Sequence, residues 1–256
     1  MRIRLLGLLV ALLLLPSCIT SEADRQSLQR GYSLYNARQP DEAKAVADKF
    51  IAANPNSDNL DEALYLRGIS QMTRGGPDNR RAAADDLHQA IAKSQRPDLK
   101  AKAFRALGDI DFDAHRWPLA QTEYQQAFTG ASTHVLTHLN YRLGATLQAQ
   151  GQWDKAQPYF QRVAASNDDQ ELKERAVARL NSASFGLQFG AFQEKPRAQE
   201  LDRQLSSLGI PAAITTETRE GRVLYVVRSG SYHTWELANT ARDRLLAKFP
   251  LVTIVP

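Results

Sequence analysis

The sequence predicts an α+β chain: an N-terminal all-α solenoid of paired helices, then a small β-α-β-β-α-β unit. Three observations carry this. Between Gly31 and Ala156, a Gly followed twelve residues later by an Ala recurs. Near Ser184 the hydrophobic period switches from helical to alternating. Ahead of both, Arg2 and Arg4 precede an apolar run from Leu5 to Leu15. At 256 residues, with 43% hydrophobic and 23% charged side chains, the chain has globular composition and room for more than one domain.

The apolar run is shorter than the ~20 residues a membrane-spanning helix needs. A basic flank, a Leu-rich core and small residues beyond it make a signal peptide over residues 1–17. Leu15-Pro16-Ser17-Cys18 resembles the bacterial lipobox, and Cys18 is the chain's single cysteine. The resemblance implies cleavage before Cys18, a lipid on its thiol and a short linker over residues 18–23. Ile19, where retention in the inner membrane would want Asp, implies an outer-membrane, periplasm-facing address. A lone cysteine excludes an intramolecular disulfide framework.

Residues 24–181 read as helical repeats. The pairs are Gly31 with Ala43, Gly108 with Ala120, and Gly144 with Ala156. Gly68 with Ala83 is three residues longer, because Gly75-Gly76-Pro77 is inserted. Small residues at both places let antiparallel helices approach closely. Larger ones follow at helical spacing, as Tyr124 after Ala120, Phe160 after Ala156 and Leu87 after Ala83. Pro55 closes the first unit, and His115 stands at the turn of the third where Gly is usual. Gln170 to Leu180 is predicted to cap the stack, since an end repeat must cover the last apolar face. This pattern resembles the tetratricopeptide repeat (TPR), with frames starting near Asp24, Asp61, Ala101 and Thr137. The stretch "DEAKAVADKFIAANPNSDNLDEALYLRG" also resembles TPR lipoproteins of envelope assembly. The resemblance implies a concave groove lined by the first helix of each unit and an unidentified protein partner in it. Projected on that helix, Tyr32, Tyr35, Tyr65, Arg105, Phe112 and Tyr141 are the candidate groove residues.

Residues 182–256 change character. Phe185, Leu187, Phe189 and Ala191 alternate with Gly186, Gln188, Gly190 and Phe192, as in a half-buried strand. Lys195 to Leu208 is predicted helical and stopped by Gly209. Ala212 to Thr218 and Arg222 to Ser229 read as strands around Glu220-Gly221. Trp235 to Lys248 is a second helix and Leu251 to Val255 a last strand. That order is a split βαβ sheet with both helices on one face and the other face open. "LQFGAFQ" and "GRVLYVVRSGSY" each end a strand in a Gly and then an aromatic. With the helices that follow, they resemble the sporulation-related (SPOR) domain. The resemblance implies binding of peptidoglycan, notably glycan strands stripped of stem peptides at division sites. It assigns ligand contact to Gln188 and to Arg228. Leu224 stands where some members carry an aromatic, and Val226 where the family has another Arg. Both are predicted to face outward and to sit under sugar rings or a protein contact.

Charge and motifs narrow the function further. Glu22 to Asn181 carries 21 basic and 21 acidic residues, and Ser182 to Pro256 carries 9 and 7. That is no basic stripe of the kind nucleic acid demands. The β-α-β-β-α-β order is shared with RNA-recognition modules, but export and weak charge argue against that use. No nucleophile elbow, zinc-protease helix or phosphate-binding loop is present. His134 and His138 lie one turn apart without a third ligand, so no metal is expected. The expectation is a non-catalytic, cofactor-free, lipid-anchored envelope protein. The alternative is an outer-membrane assembly scaffold whose C-terminal unit is a passive tether.

Overall fold

The computed structural model describes residues 22–219 and 221–256. The export segment, Cys18 and Glu220 lie outside the described residues. Contacts group the chain into two compact units, one ending at Ser94 and one running Gln95–Pro256.

The first unit holds two helix pairs: α1 (Glu22–Asn36) with α2 (Pro40–Ala53), and α3 (Leu60–Arg74) with α4 (Pro77–Lys93). Pro40 and Pro77 open their helices at the first turn, where a missing N–H costs nothing. Ala43, Ala83 and Leu87 are fully buried. A Cβ on Gly68 would lie 3.0 Å from Leu87, so the glycine is the notch into which that leucine fits. In the first pair the equivalent of Leu87 is the small Ala47, and Leu66 of α3 fills the notch at Gly31 instead. Arg67 of α3 is the polar centre of this unit. Its Nε and Nη2 donate to the two oxygens of buried Asp86 at 2.7 and 2.6 Å.

The second unit begins with α5 (Pro97–Asp113), α6 (Trp117–Ala127), α7 (Thr133–Ala149), α8 (Trp153–Ala165) and α9 (Gln170–Leu180). The Gly notches recur, with Tyr124 against Gly108 and Phe160 against Gly144, where an added Cβ would lie 2.6 and 2.9 Å from the rings. Tyr124 Oη donates to Asp109 at 2.8 Å. Burial, and then the Asp109 carboxylate, push the phenol far above its ordinary pKa, which keeps it a donor. The turn within each of three helix pairs uses a left-handed residue: Arg38, His115 and Gly151. In α9 Asp169 accepts from Leu172 N at 2.9 Å as the N-cap, and Leu172 and Ala176 are buried.

The C-terminal module follows as β1 (Phe185–Phe192), α10 (Lys195–Ser207), β2 (Ala212–Arg219), β3 (Arg222–Tyr232), α11 (Trp235–Leu245) and β4 (Thr253–Val255). The antiparallel sheet has the order β2-β3-β1-β4, so β1 and β3 are its central strands. Leu187, Phe189 and Val227 pack with Ala198, Leu201 and Leu205 of α10 and Ala241 and Leu245 of α11. Both helices therefore cover one face and leave the other open.

The module is docked on the last two helix pairs through aromatics. Trp153 of α8 packs on Phe185 with centroids 5.0 Å apart, and its Nε1 donates to His233 O at 2.8 Å. Gly151 lies so close that a Cβ there would meet the His233 ring at 2.7 Å. Trp235 of α11 stacks on His115 at 3.9 Å and meets Trp117 edge-on at 5.4 Å. Burial, and secondarily the Arg242 charge, hold the His115 imidazole below its ordinary pKa, which suits a neutral ring in a stack.

Candidate functional site: the open sheet face

The geometry of the open face is set by two interruptions of the β1–β3 ladder. Gln188 pairs with Arg228, but Gly190 pairs with Val227, so one extra residue, Phe189, bulges out of β1. The alternation expected along this strand fails there. Phe189 stays with the helix-side core, Ala191 turns to the open face and is exposed, and Phe192 swings to the helix side. The second shift lies near Gly230, which has φ 78°. Both irregularities use the same device. The Phe192 ring lies over Gly190 and the Tyr232 ring over Gly230, so close that an added Cβ would be within 2.7 Å of each. An aromatic two residues on covers the backbone that a missing side chain leaves bare. This is the physical content of the repeated strand-Gly-aromatic pattern.

Gln188 and Arg228 stand directly opposite each other on the open face. Arg228 Nη2 donates to Gln188 Oε1 at 3.2 Å. On the other side Arg228 Nη1 is 2.7 Å from Glu217 Oε1, on β2. Glu217 pairs with Leu224, and Thr215 with Val226, so Glu217 sits four positions back along the ladder from Arg228. To make that ion pair the guanidinium must lie along the sheet over the Val226 position. Val226 is 0% exposed although its neighbours Ala191 and Thr215 are exposed. This corrects one expectation: Val226 is on the open face but is covered, and offers no surface to a ligand in this arrangement. Leu224 is half-buried on the same face. Arg228 Nε is buried without a hydrogen-bond partner among the described residues.

The groove residues divide in the same way. In the first unit Tyr65 is 6% exposed and belongs to the core, while Tyr32 and Tyr35 are half-buried. In the second unit Tyr141 is also 6% exposed, edge-on to Phe160 at 5.8 Å. Arg175 and Arg179 lie over its ring at 4.9 and 5.6 Å. Phe112 is half-buried between Trp117 and the Arg142 guanidinium, 4.9 Å from its centroid. Tyr65 and Tyr141 therefore hold helix on helix and are not free anchors. Arg105 is half-buried, with its Nε enclosed and without a hydrogen-bond partner among the described residues. Arg142 and Arg179, absent from the projected set, are held by Asp109 at 3.3 Å and by Gln148 at 2.9 Å.

Glu217 is the residue that the strand pattern could have exposed. Ile214 packs inward, so Thr215 and Glu217 alternate outward, and an acid on the open face of β2 was readable, though not its reach to Arg228. Among the described residues no group of three metal-ligating side chains occurs, and no helix is long and apolar enough to cross a membrane.

Family comparisons agree with this organisation. The SPOR domain model matches residues 181–250. A model described as outer membrane lipoprotein matches residues 19–110, and a tetratricopeptide repeat model matches residues 139–169. No curated protein matches the chain. The three matched families are binding and scaffold modules without catalysis of their own.

Proposed function

We propose that this protein, which joins tetratricopeptide repeats to a C-terminal SPOR domain, is a lipid-anchored tether of the bacterial envelope. In this reading Cys18 carries the lipid and places the chain on the periplasmic side of the outer membrane. The open sheet face binds peptidoglycan glycan strands, above all the stripped strands of division sites, and the repeats hold a protein partner. The observation that carries it is the direct opposition of Gln188 and Arg228 on the two central strands of an uncovered face. An amide and a guanidinium there match the hydroxyl, acetamido and carboxylate groups of such a glycan.

Binding to amidase-treated peptidoglycan tests the reading. Hydrogen bonds to neutral partners contribute about 0.5–1.5 kcal/mol and charged ones about 1.5–3. Gln188→Ala is therefore expected to weaken binding about two- to tenfold, and Arg228→Ala about tenfold or more. A folded double variant that binds like the unaltered protein would place the site elsewhere.

The anchor has its own test. Cys18→Ala is expected to block processing and move the protein from the membrane fraction to the soluble one. Acyl chains contribute about 0.8 kcal/mol per buried methylene, so their loss is not subtle. Unchanged fractionation, with no lipid label on the unaltered protein, would sink the anchor.

A second reading is favoured by the match of residues 19–110 to the outer membrane lipoprotein family. There the repeats do the principal work as an envelope-assembly scaffold and the SPOR domain only tethers. Cross-linked partners that persist in the Gln188→Ala, Arg228→Ala double variant would support it.

A further inference from the structure

The open face holds an arrangement that neither the strand pattern nor the family match specifies. Its central valine is fully buried, on a face where no helix packs. The side chain that the register places over it is Arg228, drawn back along the strand by an acid on the next one. Arg228 spans from Gln188 on β1 to Glu217 on β2, at 3.2 and 2.7 Å, and the line between them crosses Val226. Glu217 and Arg228 each retain roughly 30% side-chain exposure, at 27% and 32%, so solvent and ligands reach the pair. An ion pair this accessible is exchangeable, since exposed pairs are worth about 0–1 kcal/mol.

We infer that Glu217 is a positioning residue that keeps Arg228 closed over an apolar floor made by Val226, and that a carboxylate on the glycan takes its place. The chemistry identifies that carboxylate. An amidase hydrolyses the amide between the lactyl group of the sugar and the stem peptide, and leaves the lactyl carboxylate free. Intact strands lack it, and so do chitin oligomers. A free carboxylate offers the guanidinium an anionic oxygen partner of the kind that Glu217 Oε1 offers now, at 2.7 Å from Nη1. As Arg228 moves onto it, Val226 is uncovered for the apolar face of a sugar ring, beside exposed Ala191 and Thr215. Glu217 thus sets both the resting state of the site and its preference for stripped strands. The inference rests on the open face being the glycan site, as proposed above.

Glu217→Gln tests it in the full-length chain. Releasing a closed state raises apparent affinity by the fraction of molecules freed, and a pair worth up to about 1 kcal/mol gives about two- to sixfold tighter binding of amidase-stripped glycan strands. Chitin oligomers, which carry no carboxylate, should show no gain of that size. The cover itself has a readout that needs no glycan. In a Cys18→Ser background, Val226→Cys should react slowly with a maleimide and several-fold faster when Glu217→Gln is added. Unchanged labelling overturns the closed state. Weaker or unchanged binding of stripped strands by Glu217→Gln overturns the exchange, and so does an equal gain on chitin oligomers. If the unaltered protein binds no stripped glycan at all, the glycan reading fails and the labelling rates alone decide the role of Glu217.

Discussion

Trp153→Ala is expected to destabilise the second unit by about 3–5 kcal/mol, the usual cost of truncating a large buried aromatic. Trp153 is 8% exposed and lies where three parts of the molecule meet: α8, the start of β1 at Phe185, and the first turn of α11 at Ala238. Truncation leaves a cavity on Phe185, and it leaves His233 O without the indole N–H that now reaches it at 2.8 Å. The loss should fall on the docking of the SPOR domain more than on the repeats. The Gly144–Phe160 notch and the Tyr141–Phe160 contact involve no part of that domain. Thermal unfolding followed by near-ultraviolet circular dichroism reports the loss, and limited proteolysis around Ser182 to Ser184 reports the undocking. Trp153→Phe separates the two contributions. It keeps most of the packing and drops only the hydrogen bond, so about 1 kcal/mol is expected. An alanine variant that melts like the unaltered protein would mean that the domain stands without this contact.

This docking was not legible in the sequence, and the reason is physical. Trp153 and His233 are 80 residues apart, and a hydrophobic period records which way a side chain faces along its own element, not what it meets. The same limit explains Tyr65 and Tyr141. The spacing that places them on one stripe of a helix cannot say whether the stripe faces a groove or a neighbouring helix. Tyr65 is flanked by buried Ala63, Leu64 and Leu66, so α3 is enclosed around most of its circumference there. By contrast, the cap over Gln170 to Leu180 was readable, because an acidic N-cap, an apolar pair four residues apart and a terminal position are all local features. The strand order was readable too, since the two strand-Gly-aromatic endings mark where β1 and β3 stop. Within β1 the alternation fails beyond Phe189, at Ala191 and Phe192. A bulge at Phe189 inverts the alternation, and nothing in a period of two announces an inserted position. Val226 was placed on the correct face and given the wrong exposure. Its cover arrives from Arg228 and Glu217 by a pairing that spans two strands.

Arg67→Met should cost the first unit about 3–5 kcal/mol, because it strands a buried carboxylate. Asp86 is 4% exposed and takes both oxygens' worth of contact from Arg67, at 2.7 and 2.6 Å, with Gln71 Nε2 adding a donor at 3.2 Å. Asp48 joins at 3.3 Å from Arg67 Nη1 and is itself held by Lys44 at 2.6 Å. The hydrogen bonds to Asp86 lead the effects that raise the Arg67 pKa, with burial opposing them. The sign then decides the pH dependence. A cation whose pKa is raised on folding contributes its stability at every pH below its unfolded value, which lies far above neutrality, so the Arg67 guanidinium adds no slope there. Removing Arg67 reverses the situation for its partner. The Asp86 carboxylate would then lie buried with the Gln71 amide but without its guanidinium, and that uncompensated charge is the source of the expected loss. Replacing both partners together, Arg67→Met with Asp86→Leu, removes the charge problem along with the bond. Such exchanges are often neutral, so the double variant is expected to recover most of the loss. Urea unfolding of the four proteins in the cycle, at two pH values, measures the coupling directly. A double variant as unstable as Arg67→Met alone would mean that the pair acts through shape, and not through a stranded charge.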